Sequence, residues 1–141
     1  MTFQLSFEYF LNSFYCWHPY PSKYPSKLFV QVDIPFENRK QTLFNIITVM
    51  NERNTLEEAI EDELVGRHLG EWSASDLGPG GMNMLYSVTS IDSSLSVVVR
   101  TLEAHQVQQR ARIARRLMTK SDDWRYEVVY PVNFNGSFNT M

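Results

Sequence analysis

Apolar and polar side chains alternate along residues 28–36, and Pro35 is expected to end this pattern. A period of two predicts a β-strand, because successive side chains of a strand point to opposite faces of the sheet. Similar patterns predict four further strands, at residues 71–75, 82–89, 110–118 and 124–134. Glycines at residues 78, 80 and 81 permit the tight turn of a hairpin between the first two of these four strands.

A helix is predicted from about residue 55 to residue 68. Thr55 and Glu58 have the spacing of a capping box, in which each side chain satisfies a free backbone N–H at the start of a helix. The apolar residues that follow share one helical face: Leu56, Ala59, Ile60 and Leu64. Gly66 or Gly70 is expected to end this helix, because glycine adopts the left-handed conformation of a helix C-terminus at little cost.

A second helix is predicted to begin at Ser90 or Asp92, both of which are good N-cap residues. The apolar side chains on one face of this helix are Ile91, Leu95, Val98 and Leu102. Residues 37–53 fit two structures: the spacing of their apolar positions favours a helix, whereas the β-branched residues among them favour a strand. The helix fits slightly better, and the strand stays open as the alternative.

The predicted order is strand, helix, strand, strand, helix, strand, followed by one additional C-terminal strand. This order is typical of the split βαβ arrangement of ferredoxin-like folds, in which two helices cover one face of an antiparallel sheet. We therefore predict a single α+β domain over residues 28–134, an N-terminal extension over residues 1–27, and a frayed tail over residues 135–141.

The N-terminal extension differs from the rest of the chain in composition. It contains nine of the nineteen aromatic residues and three of the six prolines. Aromatic side chains most often build a core, so we expect the extension to pack on the sheet. The extension could pack on its own sheet or on a second copy of the chain, and both alternatives stay open. Its first half fits either a helix or a strand, which also stays open.

Overall composition is that of one soluble globular domain, with 141 residues, 43% hydrophobic and 21% charged. The net charge of −3 gives no general attraction to nucleic acid or to anionic lipid. The single cysteine, Cys16, cannot form an internal disulfide, which fits a cytoplasmic location. No segment is long and apolar enough to predict a membrane span, and residues 1–15 lack the pattern of a signal peptide.

Four segments carry a resemblance to known proteins: VQVDIPF at residues 30–36, LEEAIEDEL at 56–64, LGEWSASDLGPGGMNMLYSVTSID at 69–92 and ARIAR at 111–115. Together they resemble small bacterial ferredoxin-like proteins, including immunity proteins of polymorphic toxin systems. The resemblance implies a ferredoxin-like fold and a non-enzymatic binding role. It brings no catalytic residue, cofactor or metal ligand. Residues 37–53 and the aromatic N-terminus depart from the pattern.

Charge is unevenly distributed along the chain. Residues 52–76 carry eight acidic and two basic side chains, whereas residues 100–125 carry seven basic and three acidic ones. A run of charges is often only a solvated surface, but it can also match a partner of opposite charge. The binding hypothesis is that an acidic surface occludes the active site of a basic toxin domain. Its candidate residues are Glu57, Glu58, Glu61, Asp62, Glu71, Trp72 and Asp76.

Two alternative functions follow from other residues. The basic segment could bind RNA through Arg110, Arg112 and Arg116 beside Trp124, although alternation in a strand predicts an ordinary solvated face. A pocket between the sheet and the N-terminal extension could bind a small molecule or serve as the active site of an enzyme. We predict no catalytic or metal site, because His18, His68 and His105 are far apart in sequence and match no ligand motif.

Overall fold

The computed structural model describes residues 23–35, 38–40, 42–78, 81–118, 123–136 and 138. Its strands are β1 (Ser26–Val32), β2 (Gly70–Gly78), β3 (Gly81–Val88), β4 (Ala111–Met118) and β5 (Trp124–Tyr130). Its α-helices are α1 (Leu43–Gly66) and α2 (Ile91–Ala104), and a short 3-10 turn precedes β4. The predicted α+β class and the predicted order of elements are confirmed.

All five strands form one sheet in the order β2-β3-β1-β4-β5, and every neighbouring pair is antiparallel. Strand β3 therefore separates β1 from β2, the two strands that α1 connects. In the same way, β1 separates β3 from β4, the two strands that α2 connects. Both long connections cross over a neighbouring strand, and this brings the two helices against the sheet.

The main core lies between the two helices and one face of the sheet. Alternate side chains of β1 and β3 point into it and are fully buried, and they meet Ile60 and Leu64 of α1 and Leu102 of α2. The opposite face of the sheet carries a smaller apolar cluster of Phe29, Ala74, Leu85 and Ala114. Tyr126, Val128 and Phe138 pack against this second cluster, so both faces of the sheet are apolar at their centre.

Helix α1 is one continuous helix of 24 residues, which is longer than predicted. It begins after Thr42, whose hydroxyl oxygen accepts a hydrogen bond from the Asn45 backbone N–H at 3.2 Å. The helical alternative for residues 37–53 is confirmed from Leu43 onward, and the strand alternative is wrong. The predicted capping box is also wrong, because Thr55 lies in the middle of the helix and its hydroxyl donates to the Asn51 carbonyl at 2.9 Å.

The end of α1 uses a histidine where a glycine was expected. His68 adopts the left-handed conformation, with φ 57°. The His68 N–H donates to the Val65 carbonyl at 3.1 Å, and the Leu69 N–H donates to the Leu64 carbonyl at 2.9 Å. This pair of bonds is the Schellman motif, which satisfies carbonyls that the helix itself leaves free. Helix α2 begins as predicted after Ser90, whose hydroxyl accepts from the Ser93 N–H.

One glycine is required by a close approach between strands. Gly81 starts β3 with φ 128°, a conformation that other residues rarely adopt. A side-chain carbon at this position would overlap the carbonyl oxygen of Val32, and it would lie 3.3 Å from the Cα of Asp33. Strands β2 and β3 form the predicted hairpin, with Gly78 opposite Gly81.

Most of the predicted N-terminal extension, residues 1–22, lies outside the described residues, and so do Cys16 and His18. Tyr24 is buried, and β1 begins at Ser26, two residues before the predicted strand. In the predicted tail, Phe138 packs edge-on against Phe29, with ring centroids 5.4 Å apart. Neither described helix is long and apolar enough to cross a membrane.

Candidate partner-binding surface

The candidate acidic residues come from two adjacent elements at one side of the molecule. Glu57, Glu58, Glu61 and Asp62 lie in the second half of α1, and Glu71, Trp72 and Asp76 lie in β2. Helix α1 packs against β2, which is the edge strand of the sheet. The hydroxyl of Tyr86 in β3 donates to the Glu57 carbonyl at 3.2 Å and so ties this part of the helix to the sheet.

Glu61 is the centre of this group. Its pKa is raised by partial burial, and the negative charges of Glu57, Asp62 and Glu71 raise it further. A hydrogen bond with the Trp72 backbone acts in the opposite direction and lowers it. These interactions place carboxylates from both elements close to one another, as the binding hypothesis requires.

Trp72 adds an aromatic surface beside the carboxylates. Its side chain is 37% exposed, and its indole N–H donates to the Ser75 hydroxyl at 2.8 Å, which fixes the orientation of the ring. The sheet register shifts between Trp72 and Ala74, so a β-bulge lies immediately after the tryptophan. We refer to Glu57, Glu61, Glu71 and Trp72 as the acidic edge.

The remaining candidates lie elsewhere. Asp76 is only 5% exposed and stands opposite Asn83, on the sheet face that the helices do not cover. Its burial therefore keeps Asp76 out of the exposed surface around Glu61, whereas Glu71 is exposed. Asp62 lines a groove between α1 and α2, whereas Glu58 is exposed on the outward side of α1.

Counter-ions distinguish the acidic edge from the other charges. Within the part of the chain that the structure describes, Glu57, Glu58, Glu61, Asp62 and Glu71 form no ion pair. Two other acids of the same region do have partners: Glu63 pairs with Arg67 at 3.1 Å, and Glu52 pairs with Arg110 at 2.6 Å. Arg67 and Arg110 therefore do not neutralise the acidic edge, in which Glu71 feels the charge of a nearby lysine, Lys27.

The basic residues of β4 and of the 3-10 turn before it are mostly neutralised. Besides the pair with Glu52, Arg110 donates to the Asp33 carbonyl at 2.6 Å. Arg112 forms an ion pair with Asp33, and Arg115 approaches Glu127 to 2.7 Å. Arg116 lies over the ring of Trp124, with 4.8 Å between guanidinium and ring centroid. The predicted alternation is confirmed, since Ile113 faces the helix side and Ala114 the other.

A row of polar side chains on the open face of the sheet was not predicted. The Gln31 amide donates to the Asn83 side-chain oxygen at 3.0 Å, and Arg112 donates to the Gln31 side-chain oxygen at 3.1 Å. Lys27 donates to the Ser87 hydroxyl. Burial and the charge of Arg116 lower the pKa of Lys27 to about 8, while the negative charge of Glu71 acts in the opposite direction. Only the alternation of polar residues in β1 and β3 could have indicated this row from sequence.

Within the described part of the chain, a groove between the two helices is the feature that most resembles a small-molecule site. This groove of about 400 Å³ lies between α1 and α2 and is lined by side chains that include Asp62, Arg67, Arg100 and His105. Among the residues that the structure describes, no three His, Cys, Asp or Glu side chains are arranged to hold a metal ion. The geometry that these residues do show is that of a charged surface beside a sheet edge.

Replacing Glu61 with glutamine is expected to stabilise the protein at neutral pH. A raised pKa means that the folded state binds the Glu61 proton more tightly than the unfolded chain does. Protonated Glu61 therefore favours the folded state at low pH, and this contribution is lost as pH rises through the folded pKa. Glu61→Gln should thus gain stability at pH 7 and little at pH 3. We expect a gain below about 1 kcal/mol, because solvent screens this site.

Urea denaturation of both proteins at the two pH values measures this gain. The control is Asp92→Asn in the first turn of α2, where the helix dipole favours the negative charge, so this variant should lose stability at pH 7. If Glu61→Gln gained equally at both pH values, or lost stability at pH 7 as the control does, the electrostatic description of the acidic edge would be wrong.

Comparison of the chain with protein-family models, with curated proteins and with solved structures finds no match.

Proposed function

We propose that this chain is a non-enzymatic binding protein of the immunity-protein type, which neutralises a bacterial toxin domain in the cytoplasm by covering its active site. The acidic edge is the contact surface in this proposal, and the toxin domain is basic around its catalytic cleft. The supporting observation is the contrast in counter-ions. Acids that lack ion pairs cluster at the acidic edge, whereas the arginines of β4 and of the turn before it mostly have acidic partners.

The physical argument concerns association. Uncompensated charges of one sign speed the encounter with a partner of the opposite sign and fix its orientation. Glu57, Glu61 and Glu71 supply such a field, and the half-exposed Trp72 supplies the aromatic anchor that often dominates an interface. A toxin that acts on nucleic acid needs basic residues around its cleft, so a cluster of carboxylates could occupy the place of phosphates.

The finer description of the fold belongs to the same proposal. We assign the chain to the ferredoxin-like class, with β5 as an additional strand beside β4. The order β2-β3-β1-β4 supports this assignment, because each helix connects two parallel strands that a third strand separates. Folds host unrelated functions, so this assignment adds no weight to a particular partner.

The experiment uses the protein encoded by the gene next to that of this chain, which the proposal expects to contain the toxin domain. Co-expression should protect bacterial cells from that toxin, and the purified proteins should associate rapidly at low ionic strength. The double variant Glu61→Lys/Glu71→Lys should slow association at least tenfold, an effect of about 1.4 kcal/mol. Stopped-flow kinetics at several salt concentrations measures the change, and the difference between the proteins should shrink as salt rises.

The matched control is Asp92→Lys/Glu103→Lys, which changes the net charge equally at exposed positions of α2. Circular dichroism establishes that each variant is folded. The proposal fails if the toxin domain is not neutralised, or if the control slows association as much as the double variant does.

The RNA-binding alternative has less support from the geometry. Arg110 and Arg112 already bind Glu52 and Asp33, so phosphates would have to displace these acids. Arg116 and Trp124 remain as a stacked pair, which is small for a site that must hold several nucleotides.

A further inference from the structure

The outward face of α1 changes its chemistry halfway along the helix. Its first half exposes four large apolar side chains, with Leu43 75%, Phe44 76%, Ile47 49% and Met50 38% accessible to solvent. We call these four residues the apolar stripe. Between residues 43 and 51 the helix contains no charged residue. The sequence pattern did not single out this surface, because the spacing of the apolar residues indicated a helix without showing which face is exposed.

The stripe lies on the side of α1 that faces away from the sheet. The helix buries Val49, Leu56, Ile60 and Leu64 against the core. At 100° per residue, Ile47 is roughly opposite these positions, and Leu43 and Met50 flank it at spacings of four and three. A second helix could therefore pack along the stripe without disturbing the core.

Charges at the two ends of the stripe are complementary. Lys40 is exposed three residues before the helix begins, and Glu58 lies on the outward face about three turns after Ile47. In an antiparallel pair of α1 helices with Ile47 of one copy opposite Met50 of the other, Lys40 of each copy comes beside Glu58 of its partner. A parallel pair would instead bring the two acidic halves together.

The size of the stripe indicates a weak contact. An aromatic side chain buries about 150–250 Å² when fully covered. With the three aliphatic side chains taken near the lower end of this range, the exposed parts of the four amount to roughly 400 Å² per copy. A standard interface buries about 800 Å² per partner. The stripe supplies about half of this area, which suits a dimer that forms at high concentration and dissociates on dilution.

We propose that two copies of this chain associate through the apolar stripe, with their α1 helices antiparallel. The contact is isologous: each copy presents the same residues, and the symmetry of the pair closes the assembly at two. The part of the acidic edge beyond Glu58, formed by Glu61, Glu71 and Trp72, stays accessible to a different partner.

Sedimentation velocity of the full chain, from about 1 µM to about 300 µM, tests the proposal over the range in which a small interface becomes populated. We expect a monomer at the lowest concentration and a growing dimer fraction at higher ones. Ile47→Glu should weaken the dimer at least tenfold, because it places a charge at the centre of an apolar contact. Val132→Glu is the control, since Val132 is 88% exposed and lies outside the stripe.

A charge exchange tests the orientation of the two helices. Lys40→Glu should weaken the dimer at low salt, and Lys40→Glu/Glu58→Lys should restore it, because the opposite charges then meet again with their signs reversed. A double variant no tighter than Lys40→Glu alone would overturn the antiparallel arrangement.

Two further results would overturn the proposal as a whole. One is a dimer that Ile47→Glu leaves unchanged, which would show that another surface is responsible. The other is a monomer at every concentration, which would leave the stripe to residues 1–22 or to a different protein. Neither result affects the proposed toxin neutralisation, which concerns the acidic edge and is measured separately.

Discussion

Replacing Gly81 with alanine is expected to lower the free energy of unfolding by about 3 kcal/mol. The backbone of Gly81 has φ 128°, which strains any residue with a side chain. In addition, the new methyl group would overlap the Val32 carbonyl oxygen. Neighbouring backbone cannot move aside as a flexible side chain can, so β1 and β3 would have to separate at this end.

Gly66→Ala is the matched control for this prediction. Gly66 is the last residue of α1, and a Cβ there would meet nothing within 4 Å. Alanine is the better helix former, so this variant should be unchanged or more stable by up to about 1 kcal/mol. Urea denaturation monitored by circular dichroism measures both variants. Equal stability of Gly81→Ala and the parent chain would refute the close approach of β3 to β1.

Replacing Ile60 with alanine is the second large effect, with an expected loss of about 3 kcal/mol. Ile60 is completely buried in the core between α1 and the sheet. The substitution removes apolar surface from the core and leaves a cavity, because neighbouring side chains relax only partially. It also loosens the helix that carries Glu57 and Glu61. The affinity for a partner at the acidic edge should therefore decrease together with the free energy of unfolding.

Val65→Ala in the same helix is the control, because it truncates a β-branched side chain that is not buried. Val65 is half exposed and carries a β-branched side chain, so its truncation should change stability by less than about 0.5 kcal/mol. Thermal and urea denaturation of the two variants provide the comparison. If both variants lost the same free energy, the assignment of Ile60 to the core and Val65 to the surface would be wrong.

The strands were predictable because their signal is local. Alternation in β1 and the glycine-rich hairpin between β2 and β3 depend on neighbouring residues, and the structure contains both. The order of elements then restricts how the chain can be connected, because crossover connections follow few rules. Sequence reasoning thus found the α+β class and every strand that the structure describes.

The ends of the helices were harder to predict from sequence than the strands, because residues that can cap a helix occur at several positions. Thr42 and Thr55 are both acceptable N-cap residues, and only the absence of a break between residues 43 and 55 makes Thr42 the start. The end of α1 was missed for a related reason: His68 adopts a conformation for which glycine is the usual residue.

The candidate site was predictable only in part, because a count of charges along the chain ignores their direction. Glu61 and Glu71 come together as expected, whereas Asp76 is buried in the sheet. The sequence also gave no sign that Arg110 would pair with Glu52, since 58 positions separate them. Long-range pairs of this kind decide which charges remain available to a partner.

The β-bulge between Trp72 and Ala74 has a consequence for how the protein behaves at high concentration. Strand β2 lies at the rim of the sheet, where free backbone groups can recruit a strand from another molecule. The bulge twists this rim, and ionised Glu71 beside it repels an identical strand. Stacking of molecules into fibrils through β2 is therefore opposed by the same residues that we propose to attract a basic partner.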